Sequence, residues 1–157
     1  MGRKNAFVKI SGDLHQRSDV IEWIRRLSAE YFVVVLVGGG TQINEAFKKA
    51  GFPVRKHGPL GRETESLEES QLARDILERN QEIVQDLLAE RGVMATVIIP
   101  VLDIGSVLCH INGDIFIQTA YLGFDKIFVL TYEDRVKDKK RMLKKYPKIQ
   151  VMGFPGG

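Results

Sequence analysis

Residues 33–47 read VVVLVGGGTQINEAF. Apolar side chains from Phe32 to Val37 make a strand with no polar face, as in the centre of a parallel sheet covered on both sides. Gly38, Gly39 and Gly40 follow at once, and then Ile43, Phe47 and Ala50 at helical spacing, stopped by Gly51 and Pro53. Three glycines give up packing and ordering entropy together, so this strand-to-helix crossing is under a steric demand. The usual demand at such a place is an anion at the helix N-terminus, the alternative being a tight crossing with no ligand. The run lacks the Gly-Lys-Ser/Thr ending of a P-loop, and Ile43 stands where the dinucleotide fingerprint has its third glycine.

The flanking sequence extends this unit into an alternating α/β pattern. AFVKI (6–10) predicts a buried strand before a Ser11-Gly12-Asp13 turn, and Asp19 with Glu22 has capping-box spacing for a helix facing inward through Val20, Ile24, Leu27 and Tyr31. Thr41 is the expected cap of the helix after the glycines. Residues 53–66 lack periodicity and suggest a loop or small hairpin. Leu67 to Glu90 carries a long apolar stripe (Leu72, Ala73, Ile76, Leu77, Ile83, Val84, Leu87, Leu88) and ends at Gly92. Strands follow at 96–101 and 106–111, then a helix capped by Asp114 and running to Leu122, a strand at 126–131, a basic helix at 137–146 and a strand at 148–152. Strands alternating with amphipathic helices give a three-layer α/β/α sandwich around a mostly parallel sheet, whose ligands bind beyond the strands' carboxyl ends.

A length of 157 residues with 44% hydrophobic composition suits one domain with a single substantial core. The longest apolar runs are too short to cross a bilayer and no signal segment opens the chain, so a soluble, cytoplasmic protein is expected. Ala6 stands where a myristoylation signal has Ser or Thr. The lone Cys109 allows no intrachain disulfide and no cysteine zinc site, and within SVLCHI it reads as a packed core thiol. A net charge of +3 permits anionic ligands without requiring nucleic acid.

Two further segments bear on the glycine run. VKISGDL (8–14) places a lysine in an apolar strand, where it needs a counter-charge or an anion, with Gly12 three residues on. HINGDIFIQTAYLGFDKIFVLT (110–131) puts Asn112 and Asp114 at the start of a helix leading to the next strand. In this order and spacing the chain resembles the amino acid kinase superfamily, which includes N-acetylglutamate kinase, uridylate kinase, carbamate kinase and aspartokinase. The matching segments are the lysine strand with Lys9, the triple glycine, GRETESL (61–67) with Arg62 and Thr64, the NGD at 112–114, and LTYEDRVKD (130–138) as a worn form of the turn that follows.

The resemblance implies a carbamate kinase-like fold and an ATP-dependent phosphotransferase acting with magnesium on a small carboxylate or phosphate acceptor. It implies Lys9 and Asp114 as catalytic residues, and Gly12, Gly38, Gly39, Gly40, Thr131 and Asp134 on the nucleotide. It puts Arg62 and Asn112 on the acceptor, and a homo-oligomer, dimer or higher, through helix 67–90. Residues 1–123 would form the acceptor and phosphate lobe and 124–157 a remnant of the nucleotide lobe. Family members continue beyond the strand matching KIQVM with much of the nucleotide lobe and a second lysine, so a chain ending at GFPGG (153–157) is expected to have an incomplete adenine pocket. Tyr132 and Arg135 replace an aspartate and a glycine of the family turn, and His110 argues against N-acetylglutamate as acceptor.

Residues 135–148 carry eight basic residues against one acidic. They read first as a solvated amphipathic helix, with Lys137 or Lys139 as candidates to replace the absent lysine. The alternative function is a non-catalytic ligand-binding or assembly protein on the same fold. A nucleic-acid module lacks an aromatic platform beside the basic run.

Overall fold

A computed structural model describes residues 2–11 and 13–156. Gly12 lies outside the described residues. Five strands form the central sheet: β1 (Asn5–Ile10), β2 (Phe32–Val37), β4 (Thr96–Ile98), β7 (Lys126–Tyr132) and β8 (Ile149–Phe154). Their order is β4-β2-β1-β7-β8, with every pairing parallel. The chain builds outward from β1 through β2 to β4, then returns to place β7 on the other flank of β1. The reversal point is therefore the crevice at the carboxyl ends of β1 and β7.

Strand alternation divides the core into two faces. Ala6, Val8 and Ile10 pack with Val33, Val35 and Val37 beneath Val20, Ile21 and Ile24 of α1 (Ser18–Ser28) and Val84 and Leu88 of α3 (Leu67–Glu90). Phe7, Leu36, Ile127 and Val129 face the other way, against Ile117 of α4 (Gly113–Thr119) and Leu143 just past α5 (Val136–Met142). Ile43 and Phe47 of α2 (Gly40–Ala50) pack on Ala73, Ile76 and Leu77 of α3. Helices thus cover both faces of a parallel sheet, as the alternating pattern predicts. Among the described residues no helix is long and apolar enough to cross a membrane.

Several local expectations are corrected. The strand expected over 96–101 breaks at Ile99-Pro100, since proline has no N–H for a ladder. Its second part becomes β5 (Val101–Ile104), which turns back as an antiparallel hairpin onto β6 (Val107–Ile111). Gly105 and Ser106 both take positive φ, 59° and 71°, as a two-residue primed turn requires. The short strand β3 (Gly61–Arg62) adds to β6, completing a separate three-stranded sheet. Cys109 on this hairpin is half-buried rather than a core thiol.

Asp19 and Glu22 do not cap α1: they bind Arg17 and Arg25 instead. Thr41 is not the cap of α2, which starts one residue earlier behind Gly39, and Ala50 is exposed. Asp114 is not the cap of α4. Asn112 holds that position, its side-chain oxygen accepting from the Asp114 amide at 2.8 Å. The helix ends at Thr119, three residues short of the expected Leu122, and the basic helix closes at Met142 rather than 146.

Ser66 does cap α3, accepting from the Glu69 amide at 3.1 Å. Ser66→Ala should therefore lower stability by about 1 kcal/mol. Thr41→Ala, whose hydroxyl caps nothing, should stay within about 0.5 kcal/mol. Urea midpoints of the two variants check the contrast; equal shifts would refute the cap assignment.

Candidate functional site

Alternation along β1 turns Lys9 to the side that carries α4, where its register neighbours are Leu36 and Val129. Lys9 is only 8% exposed. Its Nζ donates to Asp114 Oδ1 at 2.8 Å and to Ser11 Oγ at 3.0 Å. The second carboxylate oxygen of Asp114 accepts from Lys139 Nζ of α5. One carboxylate thus bridges two ammoniums supplied by β1 and α5. The lysine stem passes so close to the start of α4 that a Cβ on Gly113 would lie 2.6 Å from Lys9 Cε. That contact explains a glycine between Asn112 and Asp114.

Burial pushes the Asp114 carboxyl up, but Lys9 and Lys139 together outweigh it and hold it below the usual carboxylate range. Burial pulls Lys9 down from its ordinary value; Asp114 opposes the fall and the charge of Lys139 adds to it. These shifts have opposite signs for stability at neutral pH. Asp114 favours folding as a carboxylate, while desolvation of Lys9 works against it.

Beside this triad lies a cavity of about 170 Å³. Lys9, the three glycines at 38–40, Arg62, Asn112, Gly113, His57 and His110 contribute its polar lining, and Ile10, Leu36, Ile43, Leu77, Pro100 and Ile111 the apolar wall. No Asp or Glu occurs among the described lining residues. The first amides of α2 have no intrahelical partner, as at any helix start, and no side chain caps them.

Arg62, on β3, lines the same cavity as Lys9 and is positioned by pairing with His110 of β6. Its Nη2 donates to Asn44 Oδ1 at 2.9 Å, and the guanidinium sits 5.4 Å from the Phe47 ring centroid. Burial lowers its pKa, yet a guanidinium stays charged, and no carboxylate pairs with it among the described residues. His110 is buried and its Nε2 donates to the Ser70 carbonyl at 2.9 Å. Burial lowers both His110 and His57 from the ordinary histidine value and Arg62 adds to each fall, while at His110 the bond to Ser70 works against it.

Of the residues expected from sequence, Lys9, Gly38, Gly39, Gly40, Arg62 and Asn112 meet on this one cavity, and Asp114 stands behind Lys9 rather than in the lining. Thr131 is fully buried at the end of β7 with no hydrogen-bond partner for its hydroxyl, and Asp134 is exposed in the turn Glu133–Arg135. Neither lines the cavity. Of the two basic candidates, Lys139 reaches Asp114 and Lys137 is exposed. His57 in the lining, Asn44 behind Arg62 and Asn80, whose Nδ2 donates to the Gly38 carbonyl, were not legible as site residues. Only Asn80 left a signal, a polar residue at a core position of the α3 stripe. Neither a scan against protein-family models nor a search of curated proteins finds a match for this chain.

Asp114→Asn leaves two ammoniums facing a neutral amide and should destabilise the protein by about 3 kcal/mol at neutral pH. A carboxyl held below its unfolded value contributes stability above about pH 4 and loses it as pH falls through the folded value. The variant should therefore also flatten the stability profile on the acid side of that point. Replacing the triad together, as Lys9→Met, Asp114→Leu and Lys139→Met, should leave stability near that of the parent. Denaturant titrations between about pH 3 and pH 7 check these outcomes; a parent-like Asp114→Asn profile would refute the bridge.

Proposed function

We propose that this chain is a phosphoryl-handling α/β protein of the amino acid kinase type, moving the γ-phosphoryl group of ATP to a small anionic acceptor. The observation that carries the proposal is Asp114 bridging Lys9 and Lys139 beside a cavity that holds cations, helix-terminal glycines and no carboxylate. A single carboxylate between two ammoniums fixes both in place and leaves one positive charge uncompensated. Phosphoryl transfer asks for this: positioned cations and amides, with little covalent chemistry from the protein.

The lining donors suit a polyphosphate. Lys9 and the uncapped amides of the glycine turn would hold the phosphates, Lys139 would act from outside the lining through Asp114, and bound ATP with magnesium would supply the phosphoryl group. Among the described residues no group of three or more His, Cys, Asp or Glu gathers as a metal site. Magnesium would arrive on the nucleotide's own phosphates, its common mode. Arg62, unpaired with any acid and braced by Asn44, suits bidentate capture of the acceptor's carboxylate or phosphate, and Asn112 would orient it.

A second reading, an anion-binding protein without transfer, is favoured by one observation: Thr131 and Asp134 lie off the cavity, which leaves the nucleotide side with fewer contacts than the acceptor side. For assembly we propose pairing through α3, on the resemblance alone; its exposed positions Gln71, Asp75, Glu78 and Glu82 are polar and give the pairing no apolar seam. Sedimentation at a loading of tens of micromolar reads this directly, and a monomer mass would overturn it.

Calorimetry with magnesium ATP tests the main reading. The parent should bind with a Kd on the order of micromolar, and Lys9→Ala should weaken it at least about tenfold, the loss of one charge-assisted hydrogen bond. Binding of inorganic phosphate that depends on Arg62, without ATP binding at millimolar concentration, would move the conclusion to the second reading. Absence of both would overturn each.

A further inference from the structure

Asn80 occupies a position where the stripe of α3 calls for a hydrophobe, between Leu77 and Val84 on the same face, and it is only 3% exposed. A buried amide at such a place is unfavourable unless its donors are used. Its Nδ2 donates to the Gly38 carbonyl at 3.0 Å and to Gln42 Oε1 at 3.3 Å. Gln42 in turn donates to Asp13 Oδ1 at 2.9 Å. A polar chain therefore runs from α3 through α2 to Asp13, shortly after β1.

Gly39 is fitted to this amide. A Cβ there would lie 2.6 Å from Asn80 Nδ2 and 3.3 Å from Leu77 Cδ2. The peptide between Gly38 and Gly39 is planar and trans, so its carbonyl and its N–H point in opposite directions. With the carbonyl held by Asn80, the Gly39 N–H is turned away from α3. Gly38 and Gly39 both line the cavity.

We infer that Asn80 is a positioning residue of the anion site: by holding the Gly38 carbonyl it locks the Gly38-Gly39 peptide in the orientation that offers the Gly39 N–H to an oxyanion in the cavity. The inference rests on the anion-binding reading of that cavity, shared by both functions proposed above, and does not depend on transfer. Without the Asn80 donor the peptide is free to rotate, as a pair of glycines allows, and would present its carbonyl lone pairs to the anion instead.

The probe is inorganic phosphate, titrated by calorimetry and by amide NMR into the parent, Asn80→Leu, Asn80→Asp and Arg62→Ala. Leucine continues the apolar stripe, so Asn80→Leu should fold; Asn80→Asp keeps the size and replaces the donor with an acceptor if leucine does not. Both should bind phosphate at least about tenfold more weakly than the parent, one lost hydrogen bond to a charged group. The Gly39 amide resonance should move on titration of the parent, and should sit elsewhere and fail to move in both Asn80 variants. Arg62→Ala should weaken phosphate while leaving the free-state Gly39 resonance in place, separating loss of charge from loss of orientation. Parent-like phosphate affinity and Gly39 response in a folded Asn80 variant would overturn the inference alone. No phosphate binding by the parent would overturn the anion reading, and the inference with it.

Discussion

Lys9 stands in the middle strand of a parallel sheet, in register between Leu36 and Val129, and its ammonium depends on a single carboxylate. An isolated buried charge is costly enough that the fold has to be arranged around its partner. Asp114 can reach it only because α4 begins where the hairpin strand β6 ends, and because Asn112 and Gly113 start that helix without a side chain in the lysine's path. Lys139 then ties α5 to the same carboxylate. Three elements distant in sequence converge on one ion cluster at the crevice where the sheet order reverses.

Stability alone gives no reason to keep such a cluster, since well-packed apolar side chains of similar volume would do as well or better. Two positive charges around one negative make it still less economical. The cluster holds positive charge at a defined place, beside a cavity that Gly38, Gly39, Gly40 and Arg62 also line. Preorganised charge costs no rearrangement when an anion arrives, which is the condition under which it contributes most.

The layered α/β architecture was legible because near-continuous apolar runs mark β1, β2 and β7 and helical spacing marks α3. Legibility failed where a backbone partner decided the local structure. Pro100 broke an apolar run that hydrophobicity alone reads as one strand, and the Gly105-Ser106 turn then folded the remainder back as a hairpin. Capping was misread at Asp19, Thr41 and Asp114 because residue type was taken for geometry. In each case the side chain found another partner or none, and at α4 the neighbouring Asn112 took the role. Lys9, Asn112 and the glycines were legible as site residues because each breaks the pattern of its element. Asn44 and His57 break no pattern, being ordinary residues at a half-buried helix position and in an aperiodic loop.

Two polar chains approach the cavity by different routes. Lys9-Asp114-Lys139 joins β1, α4 and α5, and Asn80-Gln42-Asp13 joins α3, α2 and the turn after β1. The first supplies charge, and the second supplies no net cation but fixes a peptide plane. Charge without orientation attracts any anion, whereas oriented N–H groups discriminate by geometry. Both chains touch the segment that runs from Lys9 to Asp13, so a shift of that segment would disturb the charge and the oriented amide together. A site built this way would report on the position of its ligand as well as on its sign, which in-line transfer requires and a simple counter-ion site does not.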